Sequence, residues 1–316
     1  MMKKTVPSVL QAIGNTPIVR LNKVVPPNCA DVLVKLEFYN PTGSYKDRMA
    51  LAMIEEAEKR GDLRPGMTVV EYTGGSTGSS LAFVCAVKGY RFRVVSSDAF
   101  AAEKLQTMRV FGAELNIEPS QGGQVTPDLI PRMIERAAAI AISEPSYFTD
   151  QLHNADSVKG YEQIGRELVE QTNGLIHAFC ASVGTAAMLM GVSHILRLLT
   201  SAPRIVALEP ASSPIISKNI NGIHHVEGIG IGLVPPLLEK SFFDEARGID
   251  EIASRQMAWR LAREEGIFAG TSSGMNVVGA IALARELGAG HTVVTVAVDT
   301  GLKYLAGDLY GEENPG

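Results

Sequence analysis

From residue 31 onward, short apolar runs alternate with longer amphipathic stretches along this 316-residue chain. Such alternation predicts an α/β fold with two domains, in which open, twisted and mostly parallel sheets are flanked by helices. Most of the runs are rich in Val, Ile and Leu, as expected of strands buried on both faces. The predicted strands are 31–37, 68–72, 92–96, 114–117, 174–180, 204–208 and 291–298.

The amphipathic stretches between these runs predict helices, and four of them are followed directly by glycine. Glycine at that place suits the positive φ of a helix C-cap. The four glycines are Gly61, Gly89, Gly112 and Gly288. The predicted helices are 44–60, 77–88, 101–111, 126–142, 157–171, 185–199, 252–265 and 274–287.

Composition argues against several classes of function. The net charge is −5 and no dense run of Lys and Arg occurs, so we expect no nucleic-acid partner. Cys29, Cys85 and Cys180 are widely spaced without a CxxC pair, which predicts neither a disulfide framework nor a metal site. No apolar stretch is long enough to cross a bilayer, and none follows the two lysines of residues 1–7. We therefore expect a cytoplasmic protein with no membrane partner.

A turn at residues 40–45 runs straight into a predicted helix, which places Lys46 in its first turn. The helix macrodipole disfavours a positive charge there, so a lysine loses little by becoming a neutral amine or an imine. Schiff-base chemistry needs such a lysine. On this segment alone, a solvated surface lysine is the commoner alternative.

Two loops rich in glycine and hydroxyl groups connect a predicted strand to a predicted helix. Residues 73–78 read TGGSTG and residues 182–187 read SVGTAA. Each presents backbone N–H groups to an anion, with the positive end of a helix behind them. The first matches neither GxxxxGK[ST] nor GxGxxG, and a plain strand-to-helix turn is the alternative.

Further turns of this kind occur at residues 228–232, 270–274 and 299–301. None is decisive by itself. Together they place several hydroxyl- and glycine-rich turns at the carboxyl ends of predicted parallel strands, where open α/β sheets bind ligands.

In this order, these segments resemble the fold-type II pyridoxal-phosphate enzymes, and most closely their cysteine synthase-like members, which include the cystathionine β-synthase type. The resemblance spans nearly the whole chain. The segments that carry it are 13–17 (IGNTP), 35–37 (KLE), 44–48 (SYKDR), 209–210 (EP), 213–214 (SP), 227–230 (EGIG), 265–267 (EGI), 270–274 (GTSSG) and 299–305 (DTGLKYL).

The resemblance implies that the cofactor is pyridoxal 5′-phosphate and that Lys46 is the catalytic Schiff-base lysine. It places Ser272 at the pyridine nitrogen, where a serine leaves the ring a weaker electron sink than a carboxylate would. The cofactor-binding residues implied are Lys46, Ser76, Gly184, Thr185, Ala186, Ala187, Met188 and Ser272. The substrate-binding residues implied are Thr73, Gly74, Gly75, Ser76, Thr77, Gln151 and Gly228.

Three segments depart from the pattern of cysteine synthases. Their substrate loop usually reads TSGNT, whereas residues 73–77 read TGGST, so Ser76 replaces an asparagine and substrate choice is open. The phosphate loop has Ala186, Ala187 and Met188 where Gly, Gly and Thr are usual. Residues 41–46 read almost like the PTGSFK of threonine synthases and dehydratases.

The expected reaction is β-replacement on an activated L-serine, such as an O-acetyl or O-phospho ester, by a nucleophile such as sulfide. Lys46 would act as the general base toward the α-proton. A lyase or dehydratase that releases pyruvate or another 2-oxo acid with ammonia is the alternative within the enzymes. A relative that binds cofactor or ligand without turnover is the alternative outside them.

The resemblance also implies how the chain is divided into domains. A larger cofactor-binding domain is expected from residues 1–45 plus 146–316, and a smaller, mobile domain that carries the substrate loop from residues 46–145. The protein is expected to be a homodimer that acts on a small amino-acid substrate.

Overall fold

A computed structural model describes residues 5–124, 126 and 128–311 of the chain. Residue 127 of the predicted helix 126–142 lies outside the described residues, as do residues 1–4 and 312–316 at the ends of the expected larger domain. The strands are β1 Ile18–Arg20, β2 Asp31–Leu36, β3 Thr68–Tyr72, β4 Arg91–Ser97, β5 Glu114–Glu118, β6 Ser146–Phe148, β7 Ala178–Ser182, β8 Arg204–Pro210, β9 Glu245–Ile249 and β10 Thr292–Ala297.

The α-helices alternate with these strands along most of the chain. They are α1 Lys46–Arg60, α2 Ser76–Lys88, α3 Ala102–Val110, α4 Leu129–Ser143, α5 Asp156–Gln171, α6 Ala187–Leu196, α7 Ile215–Lys218, α8 Glu251–Arg260 and α9 Thr271–Leu287. A π-helical turn, Leu261–Glu265, continues α8. Among the described residues, no helix combines the length and the apolar character needed to cross a membrane.

Contacts divide the chain into two units, Met1–Ile13 with Lys46–Gly160 and Gly14–Tyr45 with Tyr161–Gly316. The boundary at Lys46 coincides with the expected start of the smaller domain. The other boundary falls after Gly160, inside α5, and β6 belongs to the first unit because it pairs with β3. The expected mobility of the smaller domain stays a prediction.

The first unit contains a four-stranded parallel sheet in the order β5-β4-β3-β6. Every residue of β3 is buried, as expected of a central strand in a parallel sheet. Val70, Tyr72 and Val95 of this sheet pack with Leu129 and Met133 of α4 in one apolar cluster. This packing fixes the carboxyl end of β3, from which the first candidate loop starts.

The second unit contains a six-stranded sheet in the order β1-β2-β10-β7-β8-β9. Only β1 among these strands is antiparallel to its neighbour. The central strand β10 pairs on one side with β2, from Asp31 opposite Thr292, and on the other side with β7. Helix α9 supplies Met275 and Val277 to the apolar cluster of this sheet.

The predicted α/β fold with mostly parallel sheets is confirmed, and Gly61, Gly89, Gly112 and Gly288 all have positive φ, from 75° to 88°. The predicted strand 174–180 is wrong in its bounds, because Gly174 (φ 72°) forms a turn after α5 and the strand begins at Ala178. Predicted helix 185–199 is also too long, since α6 covers only Ala187–Leu196. The sequence missed β1, β6, β9 and α7.

Candidate active site

The loop of residues 73–77 joins the end of β3 to the start of α2. The Thr73 N–H donates to the Val95 carbonyl at 2.9 Å, and Thr73 Oγ1 accepts from the Gly75 N–H at 3.1 Å. Gly75 is the N-cap residue of α2, and Ser76 begins the helix. The loop therefore places short polar groups at the positive end of a helix, where an anion is stabilised.

Gln151 joins this loop through its side chain. Thr77 Oγ1 donates to Gln151 Oε1 at 2.8 Å, and Gln151 Nε2 donates to the Tyr72 carbonyl at 3.3 Å. The structure thus brings together two separate parts of the chain that the sequence analysis connects with the substrate. Their contact with a substrate stays a prediction.

Glu71 is a fully buried carboxyl group in β3, two residues before Thr73. It accepts hydrogen bonds from the Tyr72 N–H at 2.9 Å, the Thr149 hydroxyl at 2.7 Å and the Gln151 N–H at 3.2 Å. Burial raises the pKa of Glu71 to about 7, and these hydrogen bonds partly oppose that rise. Glu71 was not predicted from the sequence, although a lone carboxylate within an otherwise apolar strand is a usable signal.

Gly74 lies directly against the ring of Phe100. A Cβ atom at position 74 would lie 2.0 Å from Cγ of that ring, so no side chain fits while the ring is there. Phe100 is half-buried and packs against the apolar cluster that includes Tyr72 and Val95. The ring gives a physical reason for glycine at a position where cysteine synthases usually carry serine. Nothing in the sequence indicated this role for Phe100.

Lys46 is the first residue of α1 and is half-buried, which confirms its predicted place in a first helical turn. Asp47 and Arg48 beside it are buried. A Cβ atom at Gly160 would lie 2.7 Å from the Arg48 carbonyl oxygen, so α5 approaches the start of α1 too closely for any residue but glycine. This close packing fixes the first turn of α1. The covalent role of Lys46 stays a prediction.

The loop of residues 183–188 follows the fully buried strand β7 and opens α6. The Val183 carbonyl accepts from the Gly230 N–H at 3.1 Å. A Cβ atom at Gly184 would lie 2.5 Å from the Gly228 carbonyl oxygen, so two backbone segments touch there. Ala186, the N-cap residue of α6, has φ 69°. Backbone contacts therefore bring Gly228 to this loop, which the sequence analysis assigns to the phosphate.

The start of α9 lies at the base of the 183–188 loop. Asn276 Oδ1 accepts from the Ser182 N–H at 2.7 Å, and Asn276 Nδ2 donates to the Val296 carbonyl at 2.8 Å. Ser272, one turn earlier in α9, is buried, with 3% of its surface exposed. Asn276 is the link that ties the helix carrying Ser272 to β7, and the sequence analysis did not identify it.

The donors of these loops fit a cofactor that carries a phosphate. Within the described ranges, the N-cap residues of α2, α6 and α9 are Gly75, Ala186 and Gly270, none of which has a side chain that can accept a hydrogen bond from the first turn. By contrast, Asp250 caps α8 by accepting from the Ala253 N–H at 2.8 Å. Ser182 Oγ is buried and, among the described residues, has no hydrogen-bond partner. A buried hydroxyl without a partner is expected where a polar ligand completes the site.

Comparisons with known proteins extend over almost the whole chain. A family model described as pyridoxal-phosphate dependent enzyme matches residues 9–299. A cysteine synthase of Staphylococcus aureus is 41% identical over 312 residues, covering 98% of this chain and 99% of that protein. The crystal structure of an O-ureido-L-serine synthase matches with a TM-score of 0.90 at 34% identity, over 98% of this chain and 97% of the other. That of a cysteine synthase from Entamoeba histolytica matches with a TM-score of 0.93 at 30% identity, over 99% and 94%.

Proposed function

This chain belongs to the family of pyridoxal-phosphate dependent enzymes, and we propose that it catalyses β-replacement on an O-acyl L-serine with a nucleophile such as sulfide. Membership confirms the expected cofactor, pyridoxal 5′-phosphate, and the expected class of enzyme, the cysteine synthase type. The observation that carries the proposal is 41% identity to a cysteine synthase over 98% of the chain.

In the proposed reaction, the bond between Cβ and the ester oxygen breaks and acetate leaves. A bond from Cβ to the sulfur of hydrosulfide forms, which yields cysteine. When bound, the cofactor withdraws electrons from the α-carbon of the substrate. Lys46 Nζ would hold the cofactor through its amine nitrogen, and as general base it would take the α-proton of the substrate and return it.

The remaining roles follow from the donors of each loop. Residues 184–188 hold the phosphate through backbone N–H groups at the start of α6. Ser272, a neutral hydroxyl, would lie at the pyridine nitrogen and would supply no negative charge to stabilise its protonated form, which would favour departure of a β-substituent over chemistry that needs a long-lived carbanion. Ser76 would contact cofactor and substrate.

The substrate carboxylate is bound by the 73–77 loop. The Thr73 hydroxyl and backbone N–H groups at the start of α2 would supply the donors. The hydrogen bonds of Gln151 to Thr77 and Tyr72 support its role in orienting this loop. Gly228, which is exposed and has φ 80°, would contact the substrate.

The test combines absorbance with product analysis. We expect the purified chain with pyridoxal 5′-phosphate to show an imine band and to form cysteine from O-acetyl-L-serine and sulfide. Lys46→Ala should abolish the band and lower turnover at least about 100-fold, because both the covalent link and the general base are lost. Lys59→Ala, an exposed lysine on the same helix, is the matched control. An imine band that survives in Lys46→Ala would overturn the proposal.

The second candidate function is β-elimination that releases pyruvate and ammonia. Residues 41–46, which resemble the PTGSFK segment of threonine synthases and dehydratases, are a mixed signature and do not decide between the two reactions. The two reactions separate when a panel of β-substituted amino acids is incubated with and without sulfide. Pyruvate formation at the same rate in both conditions would favour elimination, whereas cysteine formation that depends on sulfide supports replacement.

We also infer a cytoplasmic homodimer. The similarity to cysteine synthases over nearly the full chain supports it. Light scattering coupled to size-exclusion chromatography measures the assembly, and a mass of about twice 33.8 kDa is expected.

A further inference from the structure

His224 touches the loop of residues 226–230 at both of its ends. Its Nε2 lies 2.8 Å from the Gly230 carbonyl oxygen, and its Nδ1 lies 3.3 Å from the Val226 nitrogen. A carbonyl oxygen only accepts and a backbone N–H only donates, so the neutral ring must carry its proton on Nε2. One imidazole in one tautomer therefore joins the two ends of this loop.

The Nε2 edge of the ring also lies close to the backbone of Gly230. A Cβ atom at that position would lie 2.4 Å from His224 Nε2. Gly230 has φ 59°, in the left-handed region that favours glycine. The ring and the loop therefore fit each other closely, and replacing either changes the position of the other.

The scaffold holds His224 from both sides. Two residues before it, the Gly222 N–H donates to Ser213 Oγ at 3.1 Å. Directly after it, the His225 N–H donates to Glu251 Oε2, at the start of α8, at 3.0 Å. The imidazole thus connects the 226–230 loop to α8 and to the turn after β8.

The 226–230 loop in turn contacts the 183–188 loop at two points. The Gly230 N–H donates to the Val183 carbonyl at 3.1 Å, and the Gly228 carbonyl oxygen occupies the space beside Gly184. Both are contacts between backbone atoms. Between them, His224 supplies the side-chain contact that sets the distance from Val226 to Gly230.

We propose that His224 is a positioning residue that sets the shape of the 183–188 loop and thereby the grip on the cofactor phosphate. This inference rests on the proposed function, because it takes residues 184–188 as the phosphate site. It assigns His224 no contact with cofactor or substrate.

The test compares two ligands on the full-length apoprotein, pyridoxal 5′-phosphate and pyridoxal, which lacks the phosphate. Both can form an imine with Lys46, so their affinity ratio isolates the grip on the phosphate. His224→Ala should weaken pyridoxal 5′-phosphate about tenfold while changing pyridoxal less than about twofold, since one to two hydrogen bonds of the loop are lost.

Two conservative variants divide the two hydrogen bonds of the ring. Gln can reproduce the donor at the position of Nε2, and Asn can reproduce the acceptor at the position of Nδ1. Because the Gly230 contact leads to Val183, His224→Gln should restore more of the affinity ratio than His224→Asn. His225→Ala is the matched control, because it removes an adjacent exposed ring and keeps the backbone N–H.

Thermal unfolding of each apoprotein identifies variants that fail to fold, and the Gln variant then carries the test. Equal weakening of both ligands by His224→Ala would overturn the inference, and so would a ratio equal to that of His225→Ala. Failure of the unaltered chain to form an imine with pyridoxal 5′-phosphate would overturn the proposed function as well, so the two failures are distinguishable.

Discussion

The loops of residues 73–77 and 183–188 have the same setting but are held by different parts of the chain. Each follows a fully buried strand and opens a helix. Apart from the backbone bond of the Thr73 N–H to the Val95 carbonyl, the first loop is held by side chains, namely the Thr73 hydroxyl, the bond from Thr77 to Gln151 and the ring of Phe100. Backbone groups of residues 228 and 230 hold the second.

The difference indicates how each loop responds to change. A side chain can adopt another rotamer at a cost of about 1 kcal/mol, whereas a packed backbone segment has no such alternative. We therefore expect the 73–77 loop to tolerate substitution and adjust to different substrates. The 183–188 loop should be rigid. A rigid loop suits the cofactor phosphate, which is the same in every reaction of the enzyme.

The largest effect is expected from Gly184→Ala. Its Cβ atom would lie 2.5 Å from a backbone oxygen that cannot move without the 226–230 loop. We expect a loss of about 3 kcal/mol in the free energy of unfolding, measured by urea denaturation, and about 100-fold weaker binding of pyridoxal 5′-phosphate. Gly75→Ala is the control in the other loop, since nothing lies within 4 Å of its Cβ position. Equal losses in both variants would contradict the comparison.

The next largest effect is a pH dependence of the free energy of unfolding. We expect it to arise at Glu71, which lies two residues before the 73–77 loop. The pKa of Glu71 is raised to about 7, so the folded state keeps a proton that the unfolded state loses near pH 4.5. Stability should fall as the pH rises from 4.5 to 7, by about 3 kcal/mol at most, and should change no further above that range.

Urea denaturation at pH 5 and pH 8 measures this contribution. Glu71→Gln should remove most of the difference between the two pH values, because the amide does not titrate. Glu135→Gln, at an exposed position of α4, serves as control. A pH dependence that persists unchanged in Glu71→Gln would show that another group causes it.

A smaller effect is expected for Gly74→Ala, because the obstacle is the movable ring of Phe100. The substitution should cost about 1.5 kcal/mol by itself. In the Phe100→Ala background it should cost almost nothing, which gives a coupling of about 1.5 kcal/mol in a double-mutant cycle of unfolding free energies. Additive costs would mean that the ring does not restrict position 74.

The smallest effect is expected from Ala186→Gly, which should increase the free energy of unfolding. Ala186 holds φ 69°, a conformation that disfavours a Cβ atom by about 1 kcal/mol, and glycine removes that strain. Since glycine also gains entropy in the unfolded chain, Ala186→Gly should stabilise the protein by about 0.5 kcal/mol in thermal or urea unfolding. Ala187→Gly, inside α6, should destabilise it by a similar amount and is the control.

Much of this architecture could be predicted because the buried strands are recognisable in the sequence as short apolar runs. Residues 68–72 and 292–297 are apolar enough to identify central strands, and glycine marks the helix ends. The elements that were missed carry weaker signals: β1 and β6 have only three residues each, and β9 is a polar edge strand. Three residues are too few for alternation to show.

The candidate site was predictable to the extent that it consists of motifs. Lys46 and the two loops stand out as segments, and the structure places them at helix starts as expected. The supports of the loops were not visible, because Phe100, Asn276 and His224 act through long-range contacts that no local pattern encodes. Glu71 alone could have been noticed from its charge within β3.

The order of strands in the six-stranded sheet has a consequence for how the protein is made. Strand β2 lies between β1 and β10, so its longer edge finds a partner only when residues 292–297 exist. At about 5–20 residues per second, a ribosome needs about 10–50 s to synthesise the intervening 255 or so residues. Throughout that interval the edge of β2 that pairs with β10 has no partner strand, so the six-stranded sheet can be completed only when synthesis has nearly ended.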